Sequence, residues 1–471
     1  MNWILTGVLV YVLIQLAIGL MVSRNIDSEE DYLLAGRSLG LGLATFSIFA
    51  TWFGAETCIS SAGMFYEQGF SGGAADPFGY GLCILFLGFV FAVPLWKRQL
   101  TTLIDLFRQR YSVTVERASV LLIAPTSIIW AAAQVRAFGE VISNISNGSV
   151  SVDIAILIAT GVTIVYTVTG GLKADVMTDL VQGIIIIFSL VVIFIIVLAQ
   201  IPDLSGAIRE IEPERLNPFH GNGGLLEQLE QWMVPICGSV VAQELIGRVI
   251  ATRSPEVARK SALIGGGIYI LVGLIPAILG LLAFKMMPGI ENPEHVLPTL
   301  AKEHLNTFMY VIFSGALVSA ILSTVDSTLL SASALVSHNL IVPLVPGIEE
   351  RGKILSARIM VVVSGLIAAW LALGAESVFE LVHEASAMGS TGVFVIMVMA
   401  LFSNFGGSAA ALTSLGAGLL VYLAAAKYEY PYPFLISMLA AFGGYFLAGL
   451  IEHKFLGLKN TSPQATPAQG T

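Results

Sequence analysis

Charge is scarce in this sequence. Asp, Glu, Lys and Arg make up 12% of the 471 residues, against about 25% in a soluble domain. With 56% of residues hydrophobic, a water-soluble fold could not hide the apolar surface, and the chain reads as a polytopic membrane protein. Cysteine is rare too. Cys58, Cys83 and Cys237 lie in apolar runs with no CxxC and no metal-type spacing, which argues against a thiolate metal site and leaves small buried hydrophobes. The six histidines are scattered, mostly in loops or at span ends, so the nucleophile–base or metal groupings of an enzyme are missing. His383 beside Glu384 is the exception and reads as an interfacial pair. No repeated filter motif of a channel occurs. The net charge of −9 sits in loops, and no nucleic-acid partner is expected. The N-terminal run "MNWILTGVLVYVLIQLAIGLMV" has no basic leader and no small-x-small cleavage site, and reads as a retained first span.

What is present is a series of apolar runs, each long enough to cross about 30 Å of hydrocarbon. Thirteen spans are expected, at about 3–22, 40–68, 75–96, 118–144, 152–169, 178–200, 228–250, 261–284, 306–336, 355–374, 378–402, 408–426 and 433–451. Residues 1–456 form one transmembrane domain, and 457–471 a disordered cytoplasmic tail. Of the 23 Lys and Arg, seventeen (Arg248 among them) fall on one side of these spans and five on the other, with Arg136 inside a span. The positive-inside bias then puts the N-terminus outside and the C-terminus in the cytoplasm of a cell (inner) membrane.

Two spans look interrupted. "LGLATFSIFATWFGAETCISSAGMF" is polar and Gly-containing at its middle, and "LEQWMVPICGSVVAQELIGR" carries Pro235 and Gly238 near its centre. They lie five spans apart. Paired broken helices point to an inverted-repeat transporter with a midplane site, its repeats at about 40–200 and 228–402.

Polar residues at depth supply candidate sites. In "SAILSTVDSTLL", Ala320, Ser323, Thr324 and Ser327 follow i, i+3, i+4, i+7, one stripe of a helix. Hydroxyls on one helix and freed carbonyls on a broken one suit a hard monovalent cation. The broken second span has such carbonyls around Ala50 and Phe53. Asp326 lies beside the stripe. "GGLKADVMTDLVQG" brings Thr178, Asp179 and Gln182 together, with Asp175 expected near the interface and solvated. Glu56, Gln134, Gln243 and Glu244 also sit at mid-depth. Arg136 pairs with an acid, meets a substrate carboxylate or snorkels toward the outer face. Trp52, Tyr80 and Trp130 fall near span midpoints, away from the interfacial belts, where an aromatic cage would suit a cationic or ring-bearing ligand.

Four stretches carry a resemblance: "DYLLAGRSLG", "GGLKADVMTDLVQ", "VAQELIGRVIATRSPEVARKSA" and "GALVSAILSTVDSTLLSASALVSHNL". Together they resemble the sodium:solute symporter family to about residue 450, with Gly247 where Gln is usual. The resemblance implies an all-α, LeuT-type five-plus-five inverted repeat with an extra N-terminal helix, importing a small organic solute with Na⁺ as coupling ion. It implies a sodium site of the Ala50, Phe53 and Ala320 carbonyls with the Ser323 and Thr324 hydroxyls. It implies a second cation site at Asp179, Ser323, Asp326 and Ser327, where Asp326 replaces a hydroxyl and the ion is either Na⁺ or a proton. "ATWFG", "PFGYGL", "IIWAAA" and "STVDSTLLSAS" look most like the choline-transporter branch, whose aromatic cage Trp52, Tyr80 and Trp130 match on three walls. The fourth wall falls near Ala242, and Glu56 and Glu244 are added, so an amine or zwitterion is the expected solute. Trp52, Glu56, Tyr80, Trp130, Gln134, Arg136, Gln243 and Glu244 form the expected substrate site, in a protein that works in the bilayer as a monomer. A proton-coupled transporter of the same fold would rely on Asp179 and Asp326.

Overall fold

The run "IIIIFSLVVIFIIV" (184–197) shows how the chain meets its surroundings. Ile186, Leu190, Ile193 and Val197 are buried, while Ile184, Phe188, Val191 and Ile195 on the other face are 38–58% exposed. A helix apolar on both faces has protein on one side and needs hydrocarbon on the other. The pattern recurs at Phe89, Leu121, Leu271, Trp370 and Leu439, all large and exposed, while Asp175, Asp179, Arg248 and Asp326 are buried. This multi-pass membrane protein is therefore polar inside and apolar outside.

The computed structural model describes residues 26–456, except 147, 221, 222 and 376, and six isolated positions nearer the N-terminus. The expected first span and the tail from 457 thus lie largely outside the described residues. The site is built from helices α1 (Leu41–Trp52), α2 (Ser61–Gln68), α3 (Val113–Ile145), α4 (Val152–Ala199), α5 (Leu225–Met233), α6 (Gln243–Ile250), α7 (Pro255–Met286) and α8 (Thr307–Val336). Further along lie α9 (Glu350–Gly374), α10 (Ser390–Phe402), α11 (Ser408–Lys427) and α12 (Pro433–Leu456). No strand occurs among the described residues; one parallel bridge pairs Leu39 with Thr252.

Eight helices among the described residues are long and apolar enough to cross a membrane, or ten if two bent pairs count. Two of these each hold more than one expected span. Residues 56–97 run from the second half of the second span through the third, and α4 joins the fifth and sixth. In α4 only Gly171 leaves helical geometry (φ 53°, ψ −164°). The Tyr166 hydroxyl bonds the Thr178 hydroxyl across this point. Residues twelve apart on a straight helix would be about 18 Å apart, so α4 folds back at Gly171.

Both expected breaks occur. The helix α1 ends at Trp52 and resumes through a π-turn, Glu56–Ser60, into α2. Helix α5 passes through a π-turn at Val234–Gly238 that holds Pro235, but its non-helical residue is Ala242 (φ −64°, ψ 125°), a turn later than expected. The bend there is 51°. The eleventh expected span, 378–402, is also interrupted, between Val378–Ala387 and α10, with Gly389 at φ 73°.

The centre of the bundle is α8, buried from Phe313 to Leu335 without exception. Its Ser, Thr, Ala and Gly residues let neighbouring backbones approach and bond across helices. At one end of the bundle, Asp105 caps the helix Leu103–Arg110 and accepts from the Thr101 and Thr102 amides (2.8 and 3.0 Å). Its other oxygen accepts from Asn339 (2.8 Å) and faces His338 (3.4 Å), just beyond α8. Burial opposes the charged carboxylate of Asp105, but these donors outweigh it and hold its pKa below the usual carboxylate value.

At Gly171 a Cβ would lie 2.5 Å from the Tyr32 carbonyl oxygen, and its φ is one that L side chains resist. Gly171→Ala is therefore expected to destabilise by more than about 1 kcal/mol. A lowered melting temperature in detergent checks this; an unchanged one would show that the bend does not need glycine.

Candidate functional site

The site begins where α1 stops. Phe53 takes φ −89°, ψ 66°, and its amide still bonds the Phe49 carbonyl (2.9 Å). Ending a helix leaves its last-turn carbonyls without intrahelical donors, and Ala50 lies in that turn. Gly54 follows, where a Cβ would fall 2.8 Å from Thr324 Oγ1, 2.7 Å from Gln134 Oε1 and 2.6 Å from Glu56 Oε2. Three polar side chains from three elements thus close on one glycine. Thr324 Oγ1 also donates to the Ala320 carbonyl (3.2 Å). The expected sodium ligands Thr324 and Ala320 are therefore brought to the break that carries Ala50 and Phe53.

Beside this lies a buried charge cluster. Asp179 on α4 accepts from Ser47 of α1 (2.6 Å) and from Ser323 of α8 (2.5 Å). Ser327 donates to the Ser323 carbonyl (2.7 Å), lies 3.2 Å from both Asp175 oxygens and contacts Thr51 (3.4 Å). Asp326 accepts from the Ser327 amide (2.9 Å), and its carboxyl lies within hydrogen-bonding reach of Asp175. Into this group comes Arg248 of α6. Its Nη2 bonds Asp175 and Ser327, its Nη1 donates to the Glu244 carbonyl (2.9 Å) and its Nε to Ser47 (3.2 Å), with Asp179 3.8 Å away. Three carboxyl groups face one guanidinium, all almost wholly buried.

On the other side of Gly54 are the rings. Trp52, Tyr80 and Trp130 stand mutually 5.5–5.7 Å apart between centroids, in tilted and edge geometries that aromatic pairs favour. Tyr80 contacts Ser386 through its hydroxyl (3.1 Å). Gln134 accepts from the Ala55 amide (2.8 Å), which turns its NH₂ to Glu56 (2.6 Å). A cavity lined by Glu56, Ser60, Ser61, Asp76, Tyr80 and His383 opens beside them. Glu244, bonded by Ser127 (3.2 Å), lines a neighbouring cavity with Trp130, Ala242 and Ser386.

Two expected substrate residues are engaged elsewhere. Arg136 pairs with Glu140 one turn along α3 (2.9 Å), the acid-pairing option among those open to it. Gln243 accepts from the Leu103 amide (2.8 Å), tying α6 to the helix Leu103–Arg110. Asp175, expected near the interface and solvated, is 2% exposed and ion-paired with Arg248. Arg248, one of the seventeen cations placed on one side of the spans, is instead buried on α6 and paired with Asp175; its position three residues after Leu245, on the same helix, was its only mark. Asp76 was also missed. It sits before Pro77 in extended geometry (φ −137°, ψ 131°), as a residue preceding proline tends to. The pairing of an acid with "PFGY" at a span start was its only mark.

The family model for the sodium:solute symporter family matches residues 32–418. High-affinity choline transporter 1 of Drosophila melanogaster is 27% identical over 407 residues, 79% of this chain and 62% of that protein. The sodium/pantothenate symporter of Haemophilus influenzae is 24% identical over 339 residues, 69% of each. The chain thus spans about two thirds of the length of these relatives. A Na⁺-coupled sialic acid symporter in a substrate-bound outward-open state superposes with a TM-score of 0.83 at 17% identity, covering 95% of this chain and 98% of that one. At that identity the likeness establishes the fold, the all-α LeuT-type inverted repeat. The chain belongs to the sodium:solute symporter family, whose members here are transporters and not enzymes.

Proposed function

We propose that the protein is a Na⁺-coupled secondary symporter that imports a small organic solute, an amine or zwitterion, by alternating access. The observation that carries this reading is the imbalance of three buried carboxyls against one guanidinium at the meeting of both broken helices with α8. Uncompensated charge in a low-dielectric core is costly, and a cation is the natural counterweight. Na⁺ would be held by the Ala50, Phe53 and Ala320 carbonyls with the Ser323 and Thr324 hydroxyls, an oxygen set suited to a hard ion of low charge. Asp179, Ser323, Asp326 and Ser327 would hold a second cation. By linkage, an ion that ties α8 to the α1 break favours whatever solute binds beside that break, and the solute favours the ion equally.

One observation favours a second reading, proton coupling through Asp179 and Asp326. Asp326 lies within hydrogen-bonding reach of Asp175, and two buried carboxyls at that range readily share a proton.

Two measurements test these readings. Ser323→Ala combined with Thr324→Ala is expected to weaken Na⁺ stimulation of uptake about tenfold or more, since two ligands at roughly 1 kcal/mol each are lost, while the size-exclusion profile stays normal. Undiminished Na⁺ stimulation would sink the site assignment. Asp326→Asn in proteoliposomes is expected to alter either the Na⁺:solute stoichiometry or the pH dependence of uptake. A change in stoichiometry supports a second Na⁺, a change in pH dependence supports the proton, and no change in either makes Asp326 a structural acid.

A further inference from the structure

The cavity beside the rings contains two carboxylates that the cation cluster does not use. Glu56 is 3% exposed and Asp76 6%. Oε2 of Glu56 is bonded by Gln134, while Oε1 is buried and completes no hydrogen bond. The indole N–H of Trp130 lies alongside Glu56 and is its nearest further donor, though it completes no hydrogen bond. Asp76 is met only by hydroxyls, Thr57 (2.7 Å) and Tyr269 (3.1 and 3.2 Å). Among the described residues lining this cavity there is no lysine or arginine; His383 is its one basic side chain.

We infer that Glu56 and Asp76 set the specificity of the solute site for a small organic cation bearing N–H groups, a primary or secondary ammonium or an amidinium. This rests on the reading of the chain as a solute symporter and sharpens its substrate class. A buried acceptor left unbonded costs about 1–3 kcal/mol. A ligand with a donor recovers that, and an ammonium N–H bonded to a carboxylate is the strong, charge-assisted case. A quaternary ammonium has no N–H. It gains from the ring of Tyr80, which lines the cavity, but leaves Glu56 Oε1 unbonded. A zwitterion would bring its own carboxylate toward two acids, with no lysine or arginine lining the cavity to receive it. Tyr80, Met64, Ala75 and Val382 would therefore cover the carbon frame while the acids read the nitrogen.

The probes are ethanolamine, its N-methyl homologue and choline, which differ only in methyls on nitrogen, with β-alanine as zwitterion and glycerol as neutral control. Each is titrated against the purified full chain in Na⁺ buffer, with the melting temperature as readout. Ethanolamine and N-methylethanolamine are expected to bind about tenfold or more tightly than choline, and β-alanine more weakly still. Glu56→Gln is expected to remove the preference for ethanolamine over choline, and a retained melting transition shows that the variant folds. Asp76→Asn is a second variant, expected to weaken ethanolamine more than choline. Choline binding as tightly as ethanolamine, preference for β-alanine or glycerol, no binding of any of the cations, or an unchanged preference in both variants would each overturn the inference. The two readings fail separately. Ethanolamine binding that is indifferent to Na⁺ would sink sodium coupling and leave this inference standing. Na⁺-dependent binding of β-alanine in place of the amines would do the reverse.

Discussion

Three carboxyl groups and one guanidinium, enclosed together in the middle of a helical bundle, are the constraint around which this protein is arranged. They tie both broken helices to α8. Asp179 holds Ser47 and Ser323, and so holds α1 against α8. Arg248 brings α6 to the same point through Asp175, Ser327 and Ser47. Breaking one partner from a buried ion pair costs about 3–5 kcal/mol because a charge is stranded. The group is therefore strong as a joint, and it sets three acids against one base. On the proposed function, a cation or proton entering here would change what the joint can hold together, which would give an ion leverage over helix positions.

In the proposed symport, that leverage would reach the solute side through Gly54. Thr324 approaches this glycine from α8, Gln134 from α3 and Glu56 from the π-turn beyond the break, all within 2.8 Å of where a side chain would begin. The stripe on α8 and the acid of the cavity are thus contiguous, with a single unstructured turn between them. A break in a helix is the kind of element that two sites can bias together, since its carbonyls serve one and its following turn serves the other. Regular helix between Phe53 and Ala55 would satisfy those carbonyls internally and separate the two sites.

Much of this was legible in the residues. Apolar runs gave the spans because hydrocarbon demands them, and the polar, glycine-bearing middle of "FATWFGAET" gave the first break. The i, i+3, i+4, i+7 spacing on α8 put Ser323, Thr324 and Ser327 on one stripe, as found. What escaped has a common cause: side-chain reach across helices is not written in a linear pattern. Arg248 opens a basic stretch, and only the way α6 packs against α1 and α8 turns it inward. Asp175 follows a lysine at a span end, and only the fold-back at Gly171 buries it. Gln243 looked like a site residue because it follows a break, but the Leu103 amide at the start of the distant helix Leu103–Arg110 claims it. Asp76 precedes a proline, which reads first as a turn signal and only in the folded bundle as a wall of a cavity.

The two groups of acids have different surroundings, and the difference bears on what each can hold. Asp175, Asp179 and Asp326 are surrounded by hydroxyls, helix backbone and one arginine, with no ring from the cage among their partners. Small oxygen ligands at short range favour a compact ion. Glu56 and Asp76 instead line a cavity with Tyr80, and one Glu56 oxygen completes no hydrogen bond. Apolar walls with few polar groups favour an organic ligand whose carbon frame needs cover and whose charge needs one good partner. A chain that spends its scarce charge in two such places, joined at one glycine, has the physical means to let an inorganic cation on one side decide whether an organic one is held on the other.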